Sequence, residues 1–150
     1  MQQTVKYTYS RNAALMMMSL PLLFLAITAP NLSSALKNGF SLRGTVLAVA
    51  GLVFLIQIVY MFITRLLPAL QNKTALEFNK TAIADYVQNV ELDWKSIDAI
   101  KLETGSKPKL IIDLKEETNY GKQVTVNLKW VSGNYTEMGE KANAYLEKKK

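Results

Sequence analysis

Residues 44–64 read GTVLAVAGLVFLIQIVYMFIT, twenty-one positions without an Asp, Glu, Lys or Arg. A helix rises about 1.5 Å per residue and a hydrocarbon core is roughly 30 Å thick, so about 20 apolar residues span a bilayer. This run meets that length outright. A second uncharged run, AALMMMSLPLLFLAITA at 13–29, precedes it. It is near the lower limit and borrows Arg11–Asn12 and Pro30–Leu32 at its ends. The pair predicts a transmembrane hairpin, with helices at about 11–32 and 43–67 inside an N-terminal unit 1–70. The first run also has the look of a signal peptide, with Arg11 ahead of it and small residues at 26–29. A second span follows at once, and the run is read as a retained helix.

Charge divides the chain. All 12 acidic residues lie after Leu70, together with 13 lysines and no arginine, which leaves that half at +1. The hairpin half carries Lys6, Arg11, Lys37, Arg43 and Arg65 without an acid, and so holds +5 of the total +6. The basic pI is therefore mostly a topology signal and poor evidence for nucleic-acid binding. Lys and Arg near helix ends favour the cytoplasm. Lys6, Arg11, Arg65, Lys73 and Lys80 flank the hairpin, against Lys37 and Arg43 in its loop. Both termini are expected in the cytoplasm, at a bacterial inner membrane. Tyr7, Tyr9, Phe40 and Tyr60 fall near the run ends, where amphipathic rings suit headgroups.

There is no cysteine and no histidine. Thiol chemistry, disulfides, His-based acid–base catalysis and the usual transition-metal sites are excluded. The carboxylates alternate along strand-like segments, as solvated faces do. No catalytic residue, metal site or cofactor is assigned, and an enzyme is not expected.

The second helix has two faces. At 100° per residue, Gly44, Ala48 and Gly51 share one sector, a small-residue pattern that lets another helix approach closely. Gln57, Tyr60 and Thr64 gather roughly opposite. The Gln57 amide needs a partner in lipid. Two partners stand open: the first helix of the same hairpin, or other copies, with Gln57, Tyr60 and Thr64 lining a water-filled path. Two helices cannot enclose a pore, so conduction demands an oligomer. Pro21 permits a kink near the middle of the first helix, and Met16–Met18 read as lipid-facing filler.

After Pro68 the period changes from 3.6 to 2, opening a domain at 71–150. Leu76 and Phe78 alternate with Glu77, Val90, Leu92 and Trp94 with Glu91 and Asp93, and Leu110, Ile112 and Leu114 with Asp113. Val124, Val126, Leu128 and Trp130 alternate with Thr125, Asn127 and Lys129. Segments 83–87 and 100–103 are further short strands. Turns fall at Gly105–Pro108 and Asn119–Gly121. This predicts one antiparallel sheet curled over a core. A helix over 134–148 closes its open end, capped by Asn134 with Glu137 as the reciprocal partner of a capping box. The fold class is α+β: a two-helix hairpin, then a small β domain with a C-terminal helix.

This order resembles bacterial pleckstrin-homology-like membrane proteins with two N-terminal spans. The residues that carry it are Leu67-Pro68-Ala69-Leu70, Ala75-Leu76-Glu77-Phe78 and Asp93-Trp94-Lys95-Ser96-Ile97-Asp98-Ala99-Ile100. The resemblance implies a PH-like fold in which Trp94 is a packing residue. Some members resemble effectors of anti-phage systems paired with a nucleotidyltransferase. In the Hailong system the effector is a tetrameric ion channel held shut by short oligodeoxyadenylate strands. The function implied is an oligomeric channel, a tetramer above all, gated by a nucleotide or single-stranded DNA oligomer, with a nucleotidyltransferase as operon partner. The family motif places no ligand residue here. Phosphate contacts would fall to Lys107, Lys109, Lys122 and Lys129, and base stacking to Tyr120 or Trp130. Trp130 shares the register of Val126 and Leu128, so core packing is the favoured reading for it, as a plain solvated face is for the lysines. The alternative is a membrane-anchored scaffold or interaction module without conduction. Lipid binding through Lys148–Lys150 is a third reading.

Overall fold

The structure, a computed structural model, describes residues 3–38 and 41–149, excepting the side chains at 31, 32, 34–36, 38 and 43. Phe40, Lys150 and the Arg43 side chain, invoked above, lie outside the described residues. The elements run β1 (Val5–Thr8), α1 (Arg11–Asn38), α2 (Leu42–Met61), a π-turn (Phe62–Leu66), α3 (Leu67–Leu70), β2 (Thr74–Phe78), β3 (Ala82–Asp85) and β4 (Val90–Asp93). They continue with β5 (Ile97–Glu103), β6 (Lys109–Thr118), β7 (Gly121–Asn127) and α4 (Tyr135–Glu147). The fold is α+β, with two long apolar helices, antiparallel sheets and a C-terminal helix.

The chain forms two units, Arg11–Gln71 and Met1–Ser10 with Asn72–Lys150. The expected division at 70/71 therefore misplaces the first ten residues. Val5, Lys6 and Tyr7 pair antiparallel with Phe78, Glu77 and Leu76. Lys6, counted above as a topology charge, also makes a cross-strand ion pair with Glu77 at 3.5 Å. Tyr7 packs edge-on against Phe78, ring centroids 5.7 Å apart. The Ser10 N–H donates to the Trp130 carbonyl, and the Ser132 N–H to that of Thr8. The helical hairpin is thus an insertion between the first two strands of the β unit.

The β unit holds a four-stranded sheet in the order β1-β2-β3-β4 and a three-stranded sheet in the order β5-β6-β7. One curled sheet was expected. The break comes at Trp94–Ser96, a 3-10 turn that the Asp93 side chain caps by accepting from the Lys95 N–H. Trp94, 1% exposed, leaves the strand register there and enters the core. Its indole N–H donates to the Asn79 carbonyl at 2.9 Å. Its ring stacks on Tyr145 of α4 at 5.4 Å and meets Phe78 edge-on at 6.0 Å. Leu76, Ile83, Leu110, Ile112, Val126 and Met138 complete the same buried cluster.

α4 buries Met138, Ala142, Tyr145 and Leu146, four positions on one face. It crosses β5 closely, since a Cβ on Gly139 would sit 3.0 Å from Leu102 Cδ2. The Asn134 side chain accepts from the Thr136 and Glu137 N–H groups. Glu137 does not complete the capping box among the described residues. Its carboxylate pairs instead with Lys141, one turn on. The Tyr145 hydroxyl donates to the Gln3 carbonyl, fastening the N-terminal segment.

Within the hairpin, α1 is continuous through Pro21. It buries Ala14, Met18, Pro21 and Thr28, at a spacing that keeps one side towards α2. Met16 and Met17 are exposed but Met18 turns inward, so the three methionines are not all filler. Phe24 and Phe54 stack at 4.1 Å between centroids. The spans Arg11–Pro30 and Gly44–Leu70 are each long and apolar enough to cross a bilayer. Only 22% and 11% of their most apolar windows are buried, which is unlike the core helix of a soluble fold.

Candidate functional site

The hairpin offers one polar stripe on an apolar rod. Gln57 is the midpoint of the Gly44–Leu70 span and is exposed. It sits about 100° around the helix from Ile58, one of the residues turned towards α1. Among the described residues nothing on α1 hydrogen-bonds its amide. Tyr60 is 62% exposed on the same side, and the Thr64 hydroxyl donates to the Tyr60 carbonyl at 2.8 Å. The three candidate pore-lining residues thus share one side that α1 leaves open.

The small residues face elsewhere. Gly51 is buried, and a Cβ there would meet Thr28 Oγ1 at 3.7 Å. The Thr28 hydroxyl is itself bonded to the Phe24 carbonyl at 3.0 Å. Ala48 and Gly51 line an apolar groove with Leu25, Ala29, Leu52 and Leu55. The N–H of Gly44 donates to the capping Ser41 Oγ at 3.2 Å. The Gly44–Ala48–Gly51 stripe thus lies largely along α1 of its own hairpin.

The end of the second span is not a plain α-helix. The Leu67 N–H reaches back to the Phe62 carbonyl, five residues away, and Pro68 has no N–H to give. The wide turn absorbs that missing donor. Beyond it the Arg11 guanidinium donates to the Ala69 and Leu70 carbonyls at 3.2 and 3.4 Å. A cation from the start of α1 thereby covers carbonyls left over at the end of α3.

In the β unit the six candidate ligand residues fall into two groups. Lys107, Lys109, Lys129 and Trp130 lie at one end of the β6–β7 pair, where the Leu128 N–H donates to the Pro108 carbonyl. Tyr120 and Lys122 lie at the other end, about 20 Å away along β7 at roughly 3.3 Å per residue. Lys109 is paired with Glu103 at 2.9 Å. Trp130 does not join the core. The strand stops at Asn127, whose side chain accepts from the Lys129 N–H and starts a 3-10 turn over Leu128–Trp130. Trp130 is left half-buried, with the Lys129 ammonium 6.0 Å from its ring centroid.

Tyr120, 51% exposed, shares a cleft with Asp85, Tyr86 and Glu91. Those acids make poor company for a phosphate. Sequence reasoning missed Tyr86, which is half exposed beside the β3–β4 turn. Partial desolvation pushes its phenol above the ordinary range, and the Glu77 carboxylate 3.4 Å away adds to the shift. On the outer face of the second sheet Asp113 accepts from Gln123 at 2.7 Å and from Lys101 at 3.0 Å. Those bonds hold its carboxyl below the usual carboxylate range. Among the described residues no group of His, Cys, Asp or Glu side chains is arranged to hold a metal ion.

Comparison with family models, with curated proteins and with solved structures finds no match to this chain.

Proposed function

We propose that this chain is an oligomeric membrane effector, whose hairpins associate through the Gln57 face to form an ion-conducting path under the control of the β unit. The single observation that carries the reading is the exposed amide of Gln57 at mid-span. In hydrocarbon an amide without a partner costs several kcal/mol. A second copy, which presents the same amide at the same depth, supplies one. Two helices cannot surround water, so conduction needs several copies, with a tetramer favoured by the family resemblance.

The pairing of β1 with β2 supports a double crossing. Residues before α1 and after α3 belong to one folded unit, so a chain that crosses at α1 returns at α2. The basic flanks point to the cytoplasmic side of an inner membrane. Among the described residues, seven strands in sheets of four and three, followed by a C-terminal helix, support the PH-like reading of the β unit. The resemblance adds a nucleotide or oligonucleotide signal, in anti-phage defence.

Reconstitution of the purified chain into planar bilayers tests this reading. Discrete conductance steps are expected, and Gln57→Leu is expected to abolish them while leaving insertion intact. A monomeric protein that stays silent in the bilayer ends the idea. One observation favours a second reading, an anchored interaction module. The candidate lysines are divided between two ends of a sheet, and Tyr120 sits among acids, an arrangement better suited to a protein partner than to one phosphate chain.

A further inference from the structure

The π-turn changes which residues share the Gln57 stripe. In an unbroken α-helix residue 65 lies about 80° from residue 57, turned towards α1 like Phe54 and Ile58. A π-turn inserts one extra residue and sets every later side chain back by about one position. The burial pattern records this. Met61 is 8% exposed, the next fully turned-in residue is Leu66, five positions later, also at 8%, and Ala69 follows at 1%. Leu66 has therefore taken the place facing α1 that Arg65 would hold. Arg65, half-exposed, is thereby brought into line with Gln57, while Thr64, its chain neighbour, lies about a quarter-turn away beside Tyr60.

Resting on the proposed conducting assembly, we propose that its path prefers small inorganic anions to cations, and that Arg65 sets the preference. Each copy places one guanidinium at the mouth of the stripe, so an assembly carries a ring of them. From Arg11 to Gln71 the sequence holds Arg11, Lys37, Arg43 and Arg65 and no acidic residue, so the hairpin brings no carboxylate to the ring. The opposing field is that of the helix end, about half a negative charge on the last carbonyls. Arg11 already covers those of Ala69 and Leu70. Rings of Arg or Lys select anions, and a channel lined by one sign raises its counter-ion concentration about tenfold or more at low salt.

The test is the reversal potential of the full-length protein in planar bilayers under an asymmetric KCl gradient. The wild type is expected to reverse on the chloride side, with a preference of about tenfold that weakens as salt rises. Arg65→Gln is expected to move the reversal potential towards zero, and Arg65→Lys to keep its sign. Reversal on the potassium side overturns the inference and leaves the conducting assembly standing. An unchanged potential in Arg65→Gln overturns the role of Arg65. Absence of any conductance overturns both the inference and the reading beneath it.

Discussion

Replacing Trp94 by Phe isolates one bond in the core of the β unit. The ring pair with Tyr145 at 5.4 Å and the edge contact with Phe78 at 6.0 Å have aromatic partners that a phenyl ring still meets. The indole N–H that donates to the Asn79 carbonyl at 2.9 Å is lost. A part-buried carbonyl deprived of its donor costs about 1–2 kcal/mol, and the lost ring volume adds up to about 1 kcal/mol. In a unit of this size each kcal/mol moves the melting temperature by about 4–8 °C. Trp94→Phe is therefore expected to lower Tm by roughly 5–20 °C, read by circular dichroism of the full chain in detergent. Trp94→Ala removes about 3–5 kcal/mol of burial as well, of the same order as the whole stability of so small a unit, and is expected to unfold it at room temperature. A Trp94→Phe melt within about 2 °C of wild type refutes the claim that this indole joins the two sheets to α4.

Asn134→Ala removes the acceptor for two N–H groups at the start of α4 and is expected to cost about 1 kcal/mol, against near neutrality for Asn134→Asp, by the same melts. Asp113 has its carboxyl depressed in the folded state, so the stability it contributes is present above its unfolded pKa of about 3.9 and is lost as pH falls below it. Asp113→Asn is expected to lower stability slightly around neutral pH, to leave it nearly unchanged in strong acid, and so to flatten the acid limb of a pH–stability curve below about pH 4.

The apolar runs were legible because a spanning helix needs a long uncharged stretch, and nothing else in 150 residues resembles one. Strands β2, β4, β6 and β7 were legible because one wet face enforces alternation, and β3 and β5 were marked only as short segments at 83–87 and 100–103. β1 was not. Four residues carry little periodicity, and Lys6 beside Arg11 reads as a topology signal until its partner Glu77, seventy residues away, is in place. Trp130 was misplaced because alternation was extended past Asn127, whose side chain caps a turn and ends the strand. Asn127 followed by Lys129 is the signal that marked it, an Asx residue starting a turn. The π-turn leaves only Pro68 as a trace in the sequence, and the five-residue step from Met61 to Leu66 appears only once burial is known. The lysines illustrate the limit of linear density. Lys107 and Lys122 lie fifteen residues apart in the chain, but at opposite ends of one sheet.

The account depends on Gln57 meeting Gln57 of another copy within the bilayer. The chain contains no cysteine, so Gln57→Cys creates a single thiol at mid-span. Treatment of membranes carrying this variant with a short bifunctional thiol reagent measures the contact, since side chains that meet through their amides keep their Cβ atoms farther apart than a disulfide spans. The account predicts a covalent dimer from Gln57→Cys and only monomer from Ala14→Cys, a position that is buried. Monomer alone from membrane-inserted Gln57→Cys contradicts it.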